Sequence, residues 1–162
     1  MKEKEVSLKN VKTLTLVAML IALSAVGALI KVFNTVAFDS MPGYFAALYL
    51  GSFYGAIVIA LGHLLTAVTS GFPLGILNHF YIALQMALWA YLFRVFYNMF
   101  NVYVAVVLTT LLNGPVATLL FVPMFGWGFF VTWVIPLTVA SFINISLAAL
   151  IYKILSKKGN ES

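Results

Sequence analysis

The chain has 162 residues, of which 64% are hydrophobic and 8% are charged, and its formal net charge is +5. An ordinary soluble domain is roughly half apolar and a quarter charged, so this composition excludes a water-soluble globular protein. A transmembrane helix needs about 20 mainly apolar residues, and nearly all of residues 14–152 meets that requirement. We therefore predict an all-α integral membrane protein.

The distribution of positive charge predicts the topology. Six of the nine basic residues lie in the two terminal segments, and a seventh, Lys153, lies near the end of the last apolar stretch. Lys and Arg concentrate on the cytoplasmic side of membrane proteins. We expect cytoplasmic tails at residues 1–12 and 156–162, one membrane domain at 13–155 and an even number of crossings. This placement indicates topology and not nucleic-acid binding. The absence of cysteine excludes disulfides and thiolate metal sites.

The first half of the membrane domain is predicted to hold three helices. The first covers about residues 13–33 and is too long for the core of a cleaved signal peptide, so we expect it to be retained. The next apolar block, 40–69, would be about 45 Å long as one helix, which exceeds the membrane. A break at Gly51 divides it into a short second helix near 42–50 and a third near 53–69.

The second half is predicted to hold three more helices. The elements follow as a loop at 70–75, a helix at 77–96, a connection at 97–101, a helix at 102–122, a loop at 123–128 and a last helix that ends near residue 155. Gly and Pro mark the first of these loops, and Pro115 can kink the fifth helix because it lacks an N–H. The total of six transmembrane helices satisfies the even count.

Asp39 and Arg94 are the only formally charged residues between Val32 and Tyr152. Six crossings place Arg94 at the cytoplasmic end of the fourth helix and Asp39 in the first outer connection. Three roles for the Asp39 carboxylate stay open. The sequence "DSMP" resembles a helix start, where Asp or Ser caps free N–H groups; Asp39 could pair with Lys31; or it could bind a solute.

Polar side chains recur on consistent faces of the predicted helices. Such groups in a membrane usually face the interior of the bundle or a wet cavity. We predict a substrate pocket in the outer half, with aromatic walls and these binding residues: Asp39, His63, Ser70, Asn78, His79, Gln85, Asn113 and Trp127. The alternative, strongest for single hydroxyls, is that these groups join helices by hydrogen bonds.

The sequence has no signature of a catalytic site. It contains no nucleophile elbow, no HExxH and no phosphate-binding GxxxxGK[ST]. Two histidines and one acid make a poor metal site, so we predict neither a metal nor a cofactor, and no enzyme activity. The leading function class is a solute-binding transport subunit. The alternatives are a small membrane enzyme that uses His63 or His79 with Asp39, and an assembly subunit without a ligand.

Four stretches of the sequence carry a family resemblance. "AMLIA", which contains Ala18 and Ala22, and "LGSFYGAIVIALGHLL" resemble the S components of energy-coupling factor (ECF) vitamin transporters, and the resemblance covers almost the whole chain. "DSMPGYFAALYLG" and "GHLLTAVTSGFPLG" look like the members thought to take up α-ribazole, a cobalamin precursor. An S component for another vitamin-like solute is the alternative.

The resemblance implies a multi-pass subunit of a prokaryotic plasma membrane that captures a micronutrient outside. It would dock on a module of one transmembrane T component and two ATPases and topple to release the solute inside. Ala18 and Ala22 fit the docking surface of this family, although a face of small residues could also pack inside the subunit. With α-ribazole, aromatic walls would stack on the dimethylbenzimidazole, and Asp39 would accept hydrogen bonds from two ribose hydroxyls.

Overall fold

The computed structural model describes residues 11–29, 31–32, 36–37 and 39–158. Within these residues the elements are α1 Val11–Gly27, β1 Lys31–Val32, β2 Val36–Ala37, α2 Met41–Tyr49, α3 Ser52–Thr69, α4 Ile76–Met99, α5 Val102–Leu119 and α6 Val122–Lys158. Helices α3 to α6 are each long and apolar enough to cross a membrane, and α1 is a shorter apolar helix. The predicted all-α architecture with a short second helix is confirmed.

The first helix is shorter than predicted. It ends at Gly27, and a two-residue antiparallel hairpin of β1 and β2 follows where the prediction continued the helix to residue 33. Glycine is a poor helix former, and the β-branched Val32 and Val36 favour extended backbone. The side chain of Lys31 lies outside the described part of the structure, and so does its predicted pairing with Asp39.

Helices α2 and α3 form a tight antiparallel hairpin. Gly51 provides the predicted break, with φ of 110°, a conformation that favours glycine. Gly43 packs against Ile59 and Gly55 packs against Ala47, so closely that a Cβ on either glycine would overlap its neighbour. Residues 42–48 of α2 are all buried. Helix α2 has nine residues, or about 14 Å, so this helix alone is too short to span about 30 Å of hydrocarbon.

Three helix ends and one helix start lie together at one end of the bundle. The Arg94 guanidinium donates to the carbonyl of Leu48, and Lys153 Nζ donates to the Tyr103 hydroxyl at 3.1 Å. These bonds bring the C-terminal ends of α2, α4 and α6 together with the start of α5. We call this the tail end and the opposite one the pocket end. The predicted even number of crossings and the cytoplasmic location of both termini stay predictions.

The last two helices are irregular at two points. In α5, Pro115 lies in a π-helical turn, Leu112–Val116, and Gly114 there packs against Thr138 of α6. The helix accommodates the missing N–H of Pro115 with a wider, π-helical turn and does not end there. In α6 the predicted loop at 123–128 is replaced by helical turns on both sides of a single break at Gly126, where φ is 77°.

Candidate functional site

A cavity opens at the pocket end between the start of α2 and helices α3 to α6. The volume open to the centre of a water molecule is about 120 Å³. Its polar lining consists of Asp39, Ser40, His63, Thr66, Ser70, His79, Gln85, Asn113, Thr118, Ser141 and Asn144. The structure thus brings together six of the predicted binding residues, which are Asp39, His63, Ser70, His79, Gln85 and Asn113.

Asp39 enters the cavity just before α2 and is buried, with 6% of its surface exposed. Asp39 lies in the predicted connection before α2. A Cβ added at Gly62 of α3 would lie 3.9 Å from the Asp39 backbone oxygen, so this part of the connection is buried within the bundle. Ser40 occupies the N-cap position of α2 without a side-chain capping bond. Instead, the N–H of Met41 donates to Asn144 Oδ1 at 2.9 Å.

Two histidines connect α3, α4 and the loop between them. Nε2 of His63 lies 3.2 Å from Nδ1 of His79, and the rings stack at 5.3 Å. The N–H of Leu74 donates to His79 Nε2 over 3.5 Å, which assigns the proton of a neutral His79 to Nδ1 and makes His79 the donor to His63. The edge of the Phe72 ring packs on His79 at 5.7 Å, so His79 fixes the loop that borders the cavity.

The amide side chains of the cavity differ in how they are bonded. Asn144 uses both ends of its amide, because its Nδ2 also donates to the Ala140 carbonyl at 2.9 Å. Asn113 donates to Ser141 Oγ at 2.8 Å, which leaves its oxygen available to a ligand. Gln85 is 7% exposed and its Nε2 has no partner among the described residues. Asn144 joins helices, whereas Asn113 and Gln85 retain hydrogen-bonding capacity.

The hydroxyl groups on α3 are bonded to their own helix. Thr66 donates to the Gly62 carbonyl at 3.0 Å and Ser70 donates to the Thr66 carbonyl at 2.8 Å. For these two side chains the local bond satisfies the donor, and each oxygen can still accept. The alternative of a purely structural role is therefore strongest here.

An aromatic wall faces the polar groups. Phe121, Phe129 and Trp133 line the cavity, with ring centroids 5.6 Å apart for Phe121 and Phe129 and 6.3 Å for Phe129 and Trp133. Phe125 stacks between Phe121 and Phe129, at 5.8 and 5.1 Å. The sequence analysis predicted aromatic walls without naming these residues. Phe129 and Trp133 lie one helical turn apart on α6, which is a signal that the sequence offers for these two.

Two predicted binding residues do not line the cavity. Nδ2 of Asn78 donates to the Leu74 carbonyl at 2.7 Å, within the turn that starts α4. Trp127 is 66% exposed, and its ring meets the edge of Phe130 at 5.9 Å. Both lie near the predicted outer surface, but on faces that turn away from the cavity. Their binding role stays a prediction to which the cavity geometry adds no support.

Ala18 and Ala22, the predicted docking residues, are exposed on α1. The buried face of this helix consists of Thr13, Val17, Leu20 and Ser24. The alternative that the two alanines pack inside the subunit is therefore wrong. Docking of a partner on this face stays a prediction.

Asp39 is the only formally charged residue among the described residues that line the cavity, and no Lys or Arg occurs there. Across the described part of the chain, no group of three or more His, Cys, Asp or Glu side chains is arranged to hold a metal ion. The arrangement offers hydrogen bonds, aromatic surface and one carboxylate. These groups can bind a solute that is neutral or positively charged.

The family model described as ECF transporter, substrate-specific component matches residues 12–156. The matched range includes every residue that lines the cavity and both alanines of the exposed face of α1. No curated protein and no solved structure matches the chain.

Proposed function

The chain belongs to the family of ECF transporter substrate-specific components, and on that premise we propose that it binds α-ribazole or a related cobalamin precursor for import. Membership makes the protein a membrane-embedded transport subunit and not an enzyme. It also implies association with an ECF module, which comprises a T component and ATPases. The choice of solute, the prokaryotic cell membrane as its location and the residues that bind are our proposal.

The observation that carries this proposal is the division of the cavity into an aromatic wall and a polar wall. Phe121, Phe129 and Trp133 offer ring faces to a flat heterocycle, and offset or edge-to-face contacts between aromatic rings are favourable. The polar wall offers Asp39 and Asn113 to the hydroxyls of a sugar. A solute with a flat ring and a ribose matches both walls.

The charge of the lining supports a substrate without phosphate or carboxylate. An anion buried in this cavity would meet Asp39 and no Lys or Arg among the described lining residues, and a buried charge without a partner is strongly unfavourable. A neutral ribose can instead donate two hydroxyl hydrogens to the carboxylate in charge-assisted bonds. We therefore expect α-ribazole to bind much more tightly than its 5′-phosphate.

Titration calorimetry of the purified subunit with α-ribazole tests the proposal. Asp39→Asn keeps the size of the side chain and removes its charge, so we expect the dissociation constant to rise by roughly ten- to a hundredfold, or about 1.5–3 kcal/mol. A thermal melt of the same variant controls for loss of fold. Unchanged affinity would remove Asp39 from the site.

The same carboxylate gives a second candidate, a vitamin-like cation. This candidate replaces the first if the unmutated protein does not bind α-ribazole. Mass spectrometry of the small molecule that co-purifies with the subunit then identifies the solute. A subunit that carries no stoichiometric small molecule and binds none of those tested would instead favour an assembly role.

A further inference from the structure

Gln85 is a buried polar side chain whose hydrogen bonds are missing. It lines the cavity from α4, it is 7% exposed, and its Nε2 has no partner. The described residues provide no bond to the other end of its amide either. Native proteins satisfy nearly all buried polar groups, so each exception needs an explanation.

The explanation that polar side chains here join helices does not apply to Gln85. It applies to Asn144, which holds the start of α2, and to the pair of His63 and His79. Asn113 is also partly used, since Ser141 fixes the orientation of its amide. Gln85 differs from all of these because it borders the same space without any such bond.

Resting on the proposed function, we infer that Gln85 is the specificity-determining residue of this cavity and donates its amide N–H to an acceptor atom on the flat ring of the substrate. In α-ribazole this acceptor is the ring nitrogen that carries no ribose. Rotation of the amide by 180° exchanges nitrogen and oxygen, so the donor can be turned toward the ligand. Binding would thus supply the bond that the free protein lacks.

The position of Gln85 agrees with this role. It lies six residues beyond His79 along α4, or about 9 Å farther from the mouth of the cavity at 1.5 Å per residue. Asn113, whose amide oxygen can accept, lines the same cavity from the π-helical turn of α5. π-helical turns are frequent at functional sites. The flat part of a solute that stacks on Phe129 and Trp133 would present a ring edge to this inner end.

The first test compares two ligands that differ in a single acceptor. α-Ribazole is titrated beside the matching riboside of dimethylindole, in which a C–H replaces the free ring nitrogen. We expect the unmutated protein to prefer α-ribazole by roughly ten- to a hundredfold. Gln85→Met, which keeps the length of the side chain and removes its amide, should bind both compounds with the weaker affinity. A preference that survives in Gln85→Met, or is absent from the unmutated protein, would overturn the inference.

Trp89→Phe is the matched control. Trp89 is on the same helix one turn farther, is equally buried at 7% exposure and also has an unpartnered donor, Nε1. It is not among the residues that line the cavity. Its replacement should leave the preference between the two ligands intact. An equal loss of preference in Trp89→Phe would assign the effect to the interior of α4 and overturn the specific role of Gln85.

A second measurement needs no ligand, so it tests the role of Gln85 separately from the choice of α-ribazole as substrate. If the amide of Gln85 is unpaired in the free protein, Gln85→Met should raise the melting temperature of the ligand-free subunit, because it removes a buried polar group that lacks a bond. A lower melting temperature would show that the amide has a partner within the protein and would overturn the inference. If the unmutated protein binds neither compound, α-ribazole is not the substrate. The melting temperatures of the unmutated protein and Gln85→Met then decide alone whether the amide of Gln85 is unpaired.

Discussion

The two ends of the helical bundle differ in how closely the helices pack and in how polar their buried side chains are. Toward the tail end, residues 42–48 of α2 are buried, Gly43 and Gly55 allow close approach of α2 and α3, and the rings of Tyr44 and Phe93 pack edge to face at 5.6 Å. Toward the pocket end, α3 and α4 border a cavity lined by imidazole, amide and carboxylate groups. Close packing and polar chemistry are therefore separated along the helix axes.

Along α3 and α4, the residues that pack against neighbouring helices give way to polar residues that line the cavity. Helix α3 presents Gly55 and Ile59 to α2, and one to two turns later it presents His63 to the cavity. Helix α4 has its fully buried Phe93 toward the tail end and Gln85 beside the cavity. A close-packed region of low compressibility can hold unpaired polar groups in a fixed geometry. Substitutions near the tail end should therefore change stability, and those in the cavity should change affinity.

The largest effect is expected from Gly55→Val. An added Cβ would overlap the backbone of Ala47 as well as its side chain, and backbone cannot move aside as a flexible side chain can. Overpacking commonly costs about 1–3 kcal/mol and occasionally more, and we expect the upper end of this range. Thermal unfolding in detergent, followed by size-exclusion chromatography, measures it.

Gly128→Ala is the control for this substitution. No atom lies within 4 Å of a Cβ added at Gly128, and its backbone is not in the left-handed region. Its melting temperature should equal that of the unmutated protein. Normal stability of Gly55→Val would mean that α2 and α3 are farther apart than the hairpin described above.

A smaller effect, which couples both regions, is expected from Asn144→Leu. The partly buried N–H of Met41 would lose its acceptor, Asn144 Oδ1, and a fully buried unsatisfied donor costs about 1–3 kcal/mol, so we expect the lower part of this range. Because Met41 follows Asp39 by two residues, ligand affinity should fall together with the melting temperature. Calorimetry and thermal melts on one preparation measure the two effects.

The same change at Asn78 gives the comparison for that prediction. Asn78 bonds only to the Leu74 carbonyl and does not line the cavity, so Asn78→Leu should affect both measurements less. If Asn78→Leu weakens binding more than Asn144→Leu does, the solute contacts the outer turn of α4 and the predicted role of Asn78 gains support.

Most of the fold was predictable because its signals are local. Long apolar runs define the helices, Gly51 marks the break before α3, and the predicted binding residues His63 and Ser70, at helical spacing on α3, both line the cavity. On α4 the same spacing grouped Gln85 with Asn78, which does not line the cavity. The predicted location of Arg94 at the cytoplasmic end of its helix stays a prediction. Periodicity and turn chemistry suffice for the helices and for the break at Gly51.

Other features depend on contacts between distant parts of the chain. Asn144 holds Met41 from 103 residues away, and no local pattern shows that α2 starts inside the bundle and not at its surface. At the first turn of α4, a rotation of one residue decides whether a side chain faces the cavity, so His79 lines it and Asn78 does not. Trp127 turns outward because the backbone breaks at Gly126, one residue earlier.

The smallest effect on the isolated subunit is expected from Ala18→Leu combined with Ala22→Leu, which tests a surface outside both regions. The two alanines are exposed on α1, so added bulk meets no neighbour within the subunit, and neither ligand affinity nor melting temperature should change. Small residues permit close approach of helices in membranes, so the same variant should lose uptake and co-purification with the T component.

Leu84→Trp combined with Leu88→Trp adds bulk at the same spacing on the exposed face of α4 and should leave uptake normal. Uptake retained by the alanine variant, or lost equally by both, would place the docking surface elsewhere.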